Sequence, residues 1–167
     1  QIISSAFKQH SQGNIQEAKK YYENFINKGF IDHRVFSNYG MILLNLGEFK
    51  KAEIFTRQAI ELNPNYAMAY SNLGGILKDL GKLQEAELSL RKAIELKPNF
   101  ANAHEALGLV LLEKNEYDLS LIYFSESAKL LNDQTEQNFN NQRFKIISKA
   151  KIEHDIEQFE YLASKKL

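Results

Sequence analysis

The chain has 167 residues, equal numbers of basic and acidic side chains, and no cysteine. This length suits a single domain, zero net charge argues against nucleic acid as a partner, and the lack of cysteine excludes disulfides and zinc–thiolate sites. No apolar run approaches the about 20 residues of a membrane span, and no signal peptide is visible. We therefore expect a cytoplasmic protein without membrane contact.

The dominant feature of the sequence is an internal repeat with a period of about 34 residues. His33–Tyr66 and Ala67–Phe100 align without a gap and share roughly half of their residues, and weaker copies lie on either side. A repeat of this length indicates a solenoid, whose stacked units form an extended surface. Holding a partner is therefore the expected role.

The first unit, at about residues 1–32, keeps the pattern in weakened form. Ala6, Gly13, Ala18 and Tyr22 stand at the repeat positions, and Phe30 replaces the closing proline. The two opening positions of the repeat are missing and the first residue is Gln. We interpret the sequence as a piece of a longer protein.

The second and third units, residues 33–66 and 67–100, each predict two antiparallel helices. In the third unit Tyr70, Leu73, Gly74 and Leu77 fall at i, i+3, i+4 and i+7, which is one stripe of a helix. Gly81 then marks a turn, and a second stripe follows at Ala86, Leu90 and Ala93 before Pro98. Because Gly inside a helix costs about 1 kcal/mol relative to Ala, Gly74 predicts close packing of the two helices. Gly40 and Gly108 recur at the same position and carry the same prediction.

The fourth unit, at about residues 101–134, holds His104, Leu107, Gly108 and Leu111 in its first helix and Ser120, Phe124 and Ser127 in its second. We take the array to end at Leu131. Residues 132–142 are polar and amide-rich, which predicts a polar linker or the frayed start of a helix. Residues 143–167 predict one long helix that covers the last unit, with an apolar stripe at Phe144, Ile147, Ile152, Ile156, Phe159, Leu162 and Ala163.

These positions resemble the tetratricopeptide repeat (TPR) family of bacterial-type arrays. Tyr70, Leu73, Gly74 and Leu77, followed by Ala86, Leu90 and Pro98, match the pattern W-x2-L-G-x2-Y, A-x3-F and P. The resemblance covers residues 1–131. It implies an all-α, right-handed solenoid of four helix-turn-helix repeats with a long C-terminal capping helix, and we expect a monomer.

The resemblance also implies where a partner binds, because the first helices of TPR units line a concave groove. We expect the groove to bind a protein or peptide through a second stripe on these helices, which comprises Phe7, Arg34, Ser37, Met41, Asn45, Met68, Ser71, Lys78, Asn102, Glu105 and Leu109. The Lys, Asn and Arg clamp with which some TPR domains grip a chaperone's C-terminal carboxylate is absent. Ile3, Phe7, Met68 and Asn72 stand at those positions.

We find no motif for catalysis, a cofactor or a metal in the sequence. The four histidines are widely separated, and no phosphate-binding glycine loop or nucleophile elbow occurs. Two functions remain open. The chain is a protein-interaction scaffold or adaptor, or it is the substrate-recruiting N-terminal module of a larger enzyme such as a 2-oxoglutarate oxygenase or a transferase.

Overall fold

The computed structural model describes residues 2–131 and 134–164, without the side chains at 134–143, 159, 160 and 162–164. These residues form helices and no strand, which confirms the all-α prediction. The helices are α1 (Ile2–Ser11), α2 (Ile15–Asn27), α3 (His33–Asn45), α4 (Phe49–Leu62), α5 (Ala67–Asp79), α6 (Leu83–Leu96), α7 (Ala101–Glu113), α8 (Tyr117–Leu130) and α9 (Gln134–Ser164).

The turns inside the four helix pairs share one backbone conformation. Gly13, Gly47 and Gly81 follow α1, α3 and α5 with φ between 72° and 76°, and Asn115 takes the same place after α7 with φ 61°. Glycine meets no steric penalty in this left-handed region, and Asn is among the few other residues that tolerate it. The repeat period therefore places a turn-forming residue at the end of each first helix.

The helices of each pair pack closely at the in-helix glycines, as the sequence predicts. A Cβ atom added to Gly40 would lie 2.2 Å from Oγ1 of Thr56, and one added to Gly74 would lie 2.4 Å from Cγ of Leu90. At Gly108 the nearest atoms belong to Phe124, at 3.1 Å. At Gly40 and Gly74 a side chain therefore overlaps the second helix, and at Gly108 one would fit only if Phe124 moved by a few tenths of an ångström.

The chain divides into two compact units, Gln1–Lys97 and Pro98–Leu167. The first contains α1 to α6, and its core joins the helix pairs through buried residues that include Tyr22, Val35, Tyr39, Ile42 and Ile76. In the second unit α7 packs on α8, and α8 packs on α9. Across the part of the chain that the structure describes, every helix is too short or too polar to cross a membrane.

The last helix differs from the sequence prediction in its length and in its packing. It begins at Gln134, so residues 134–142, for which the sequence left a linker or a frayed helix start open, are helical. Gln and Glu in this stretch are good helix formers. Ile147 is buried, but Ile152 and Ile156 are 60% and 51% exposed and Phe144 is also exposed. The predicted stripe therefore does not face α8 as a whole, and the side chains of Phe159, Leu162 and Ala163 lie outside the described residues.

Candidate functional site

The first helices of the three pairs in residues 1–97 lie side by side. Phe7, His10 and Ser11 of α1 and Asn38 of α3 line one cavity of about 360 Å³. On the next helix, Nδ2 of Asn72 in α5 donates to Oγ of Ser37 in α3 over 2.9 Å. Helices α1, α3 and α5 thus supply one continuous row of side chains, which we call the first-helix surface.

The predicted partner-binding residues of this unit differ in how open they are. Arg34 and Asn45 are exposed, Met68 is 39% exposed, and Phe7, Met41, Ser71 and Lys78 are partly buried. Ser37 is completely buried and accepts the hydrogen bond from Asn72. We therefore leave Ser37 out of the proposed contact surface, since its side chain positions Asn72.

The remaining predicted residues lie on α7 in the second unit. Asn102 is exposed, and Glu105 and Leu109 are partly buried. His104 on the same helix is buried, and its Nε2 atom lies 2.8 Å from the carbonyl oxygen of Pro98. His104 is therefore a packed, hydrogen-bonded ring at the position where the repeat pattern has an aromatic residue.

Arg34 and Lys78, the two cations among the predicted contact residues of this unit, have anionic partners. Arg34 forms two side-chain hydrogen bonds with Asp32, at 3.1 and 2.6 Å, and its guanidinium carbon lies 5.7 Å from the centre of the Phe7 ring. The hydrogen bonds from Arg34 hold the pKa of Asp32 below its usual range. Lys78 pairs with Asp79 at 2.7 Å. We call these two ion pairs, Arg34–Asp32 and Lys78–Asp79, the rim, which is polar and carries no net charge.

Gly75 on α5 differs from the packed glycines. It is partly buried, yet a Cβ atom added there would meet nothing within 4 Å. It occupies the repeat position that Phe7 holds in α1 and Met41 holds in α3. This position therefore carries a large side chain in α1 and α3 and none in α5. A Gly inside a helix costs about 1 kcal/mol relative to Ala. Since a Cβ atom at residue 75 would contact nothing, packing within the protein does not explain why Gly stands at this position.

Sequence reasoning missed an exposed aliphatic pair on the second helices. Ile54 of α4 and Leu88 of α6 are 56% and 63% exposed and stand one repeat period apart. Arg57 of α4 forms a 2.9 Å ion pair with Glu85 of α6, which joins the two helices. Ile54 and Leu88 occupy the same position in their repeats, and this is the sequence signal by which the pair could have been found. Since they lie on other helices than the first-helix surface, they provide control positions for mutagenesis.

The arrangement offers binding contacts, and we find no reactive constellation in it. Among the described residues, no group of three or more His, Asp or Glu side chains could hold a metal ion. The chemistry available on the first-helix surface is hydrogen bonding, aromatic contact and apolar burial.

Comparison with known proteins identifies the repeat. Family models described as TPR repeat or tetratricopeptide repeat match residues 33–66, 55–87 and 74–115. No curated protein matches the chain at a significant level.

Solved structures share the fold at low sequence identity. The chain is 22% identical to YrrB, titled "a TPR protein with an unusual peptide-binding site", over 84% of this chain and 73% of that one, with a TM-score of 0.70. It is 19% identical to MamA from Desulfovibrio magneticus RS-1, over 98% and 92% of the two chains, with a TM-score of 0.73. It is 22% identical to an O-GlcNAc transferase from Thermobaculum terrenum, over 77% of this chain and 25% of that one, with a TM-score of 0.69.

Proposed function

This chain carries a tetratricopeptide repeat array, and we propose that it is a protein-interaction module whose first-helix surface binds a peptide segment of a partner protein. The observation that carries this proposal is Gly75. Gly75 lowers the stability of α5, and the space in front of it is open. A partner can therefore approach the α5 backbone closely at this position.

The side chains around Gly75 supply the other parts of a peptide site. Met41 is partly buried and Met68 is 39% exposed, and methionine adapts its shape to varied apolar groups. Arg34 and Lys78 form a polar rim with their anionic partners, which suits orientation of a ligand. An apolar anchor surrounded by polar groups is the usual anatomy of a protein–protein contact.

A display library of random peptides, selected on the immobilised chain, tests the proposal. We expect selected peptides to bind with about micromolar affinity, or roughly 8 kcal/mol. Met41→Glu combined with Met68→Glu should abolish binding while helicity is retained, because neither residue belongs to the buried core. Ile54→Glu combined with Leu88→Glu is the matched control and should leave binding unchanged. Selected peptides that lose binding only to the control variant would place the site on the second helices.

A second function is favoured by one comparison. The array is similar to about a quarter of an O-GlcNAc transferase chain, and the remainder of that chain lies outside the match. In this alternative the same surface recruits a protein substrate for a catalytic domain elsewhere in a larger protein. The full-length reading frame distinguishes the two, because only the second requires a catalytic domain in the same polypeptide.

A further inference from the structure

One face of α9 packs on α8, and three residues at helical spacing define it. Ile147 is buried, Lys151 forms an ion pair with Asp118, and the ring of His154 lies 5.5 Å from the ring of Tyr117. Residues 147, 151 and 154 are four and three positions apart, so they lie on one side of the helix. This side is the contact of α9 with α8.

The opposite face of α9 carries apolar side chains that are open to solvent. Ile152 and Ile156 are both more than half exposed. Because one helical turn takes 3.6 residues, Ile152 lies about 140° and Ile156 about 180° around the helix axis from Ile147. The sequence predicts that these residues cover the last unit of a monomer, and the structure places them in solvent instead. We call the face that carries Ile152 and Ile156 the outer face of α9.

The charges of α9 are segregated along its length. Between residues 143 and 160 all basic residues precede all acidic ones, and the sign changes at Ile152. The basic residues are Arg143, Lys145, Lys149 and Lys151, and the acidic residues are Glu153, Asp155, Glu157 and Glu160. This part of the helix therefore has a basic half and an acidic half of equal charge.

The stability of a single helix does not explain this order of charges. The helix dipole favours acidic residues towards the N-terminal end and basic residues towards the C-terminal end. Ion pairs four residues apart stabilise a helix more when the acidic residue comes first, whereas Lys149 precedes Glu153 in the 3.7 Å pair of α9. The segregation is accounted for by a partner that lies along the helix and carries the complementary order of charges.

A second copy of α9 in the antiparallel direction has that order. Reversal places the basic half of one copy against the acidic half of the other, whereas a parallel copy would place like charges together. A two-fold axis beside Ile152 makes the contact self-complementary and brings the two Ile152 side chains together.

The same axis pairs the charges on both edges of the outer face. Lys149 of one copy lies near Glu153 of the other on one edge, and Lys151 lies near Asp155 on the opposite edge. The members of each pair differ in height by only about 3 Å along the helix axis, which the long lysine side chains span.

We propose that the outer face of α9 is a self-association surface, through which two copies of this chain pair in the antiparallel direction. The contact is confined to one helix, which makes it smaller than the about 1,200–2,000 Å² of a standard interface. The dimer is therefore weak and forms at tens to hundreds of micromolar. This inference goes beyond the proposed function, since it uses a different helix from the first-helix surface.

Sedimentation equilibrium of the full chain, over about 10 μM to about 1 mM, measures the association. We expect the mean mass to rise from one chain towards two. Ile152→Asp combined with Ile156→Asp should weaken the association at least about tenfold, because it places charges in the apolar contact. Ile54→Asp combined with Leu88→Asp changes a similarly exposed aliphatic pair on α4 and α6 and should leave the association unchanged.

Two outcomes of this measurement would overturn the proposal. A parent chain that stays monomeric at every concentration would show that a second copy does not cover the outer face. A dimer that persists in the α9 variant, or is lost only in the control variant, would place the contact elsewhere. Far-UV circular dichroism checks that both variants keep the helicity of the parent.

Charge variants test whether complementarity selects the second copy. Lys145→Glu combined with Lys149→Glu makes α9 mainly acidic, and Glu153→Lys combined with Asp155→Lys makes it mainly basic. Each variant alone should stay monomeric where the parent dimerises, and an equimolar mixture of the two should form a dimer. A mixture that stays monomeric, or variants that dimerise as the parent does, would contradict a contact selected by charge.

The chain contains no cysteine, so single cysteines report the direction of pairing. Ile152→Cys lies on the proposed axis and should give a disulfide-linked dimer on air oxidation. Lys145→Cys lies about 21 Å along the helix from its counterpart in an antiparallel pair and should not. Linkage of both variants, or of Lys145→Cys alone, would show a parallel pair and overturn the proposed arrangement.

Discussion

Adjacent glycines in α5 have opposite physical roles. Gly74 faces Leu90, whereas Gly75 faces open space. The two glycines are neighbours in one helix. The same substitution made at each of them therefore separates the effect of packing on stability from the effect of helix propensity.

Gly75→Ala should stabilise the protein by about 0.5–1 kcal/mol, because alanine has the higher helix propensity and the added methyl meets no atom. The same change should weaken binding of peptides selected on the first-helix surface. Thermal unfolding and a binding titration measure the two effects. A more stable variant with unchanged affinity would show that Gly75 is not reserved for a partner.

Gly74→Ala should instead destabilise the protein by about 1 kcal/mol or more, and Gly74→Leu by about 1–3 kcal/mol or more, since the added atoms overlap Leu90. Urea unfolding of the two variants beside Gly75→Ala gives the comparison. If Gly74→Leu were as stable as the parent, the close contact between α5 and α6 would not explain this glycine.

Asp32 is the N-terminal cap of α3 and also forms an ion pair with Arg34. Its Oδ1 atom accepts from the backbone N–H of Arg34 over 2.8 Å, so it caps the helix, and Arg34 lowers its pKa from the ordinary 3.8. Asp32→Ala should cost about 1 kcal/mol.

The acid dependence of this contribution has a defined sign. The unfolded chain takes up a proton on Asp32 more readily than the folded chain, so the stabilisation is present above pH 3.8 and is lost as the pH falls through the folded pKa. The difference in unfolding free energy between the parent and Asp32→Ala should therefore shrink in acid. Asp32→Asn keeps a capping oxygen but has no titratable group, so the difference in unfolding free energy between Asp32→Asn and Asp32→Ala should stay constant over the same pH range. A constant difference between the parent and Asp32→Ala would contradict the ion-pair contribution.

At the scale of elements, α9 depends on a short contact with α8. Ile147 is buried, Lys151 forms an ion pair with Asp118, and the rings of Tyr117 and His154 are 5.5 Å apart. The ion pair is exposed, and exposed pairs contribute about 0–1 kcal/mol, so the apolar contact of Ile147 should dominate.

Ile147→Ala should reduce stability by about 2–4 kcal/mol and loosen α9. Ile152→Ala, at a site that is 60% exposed, is the matched control and should have little effect. Hydrogen exchange across α8 and α9, measured with thermal unfolding, distinguishes loss of docking from global destabilisation. Equal effects of the two substitutions would mean that α9 packs through a different face.

At the scale of the whole molecule, the sequence predicted the helix pairs because the repeat period fixes where each helix and turn lies. It predicted the close contacts at Gly40 and Gly74 for the same reason. The burial of Ser37 and the exposure of Ile152 and Ile156 were not predicted from the sequence. The burial of a helical residue depends on which face of its helix a neighbouring helix covers. The cavity between α1 and α3 brings together residues of two helices, and no spacing along the chain reports that proximity.

The charge of the whole molecule leads to a last prediction about binding. Net charge is zero, and the rim cations Arg34 and Lys78 are paired within the protein. Raising the ionic strength from 0.1 to 1 M shortens the screening length from about 10 to about 3 Å, which weakens attraction between exposed charges. Because apolar burial should supply most of the affinity, the Kd of selected peptides should change by less than about threefold in a salt titration, whereas a site that depends on unpaired charges loses affinity steeply. A steep loss would show that the partner displaces Asp32 or Asp79 and pairs with the rim cations directly.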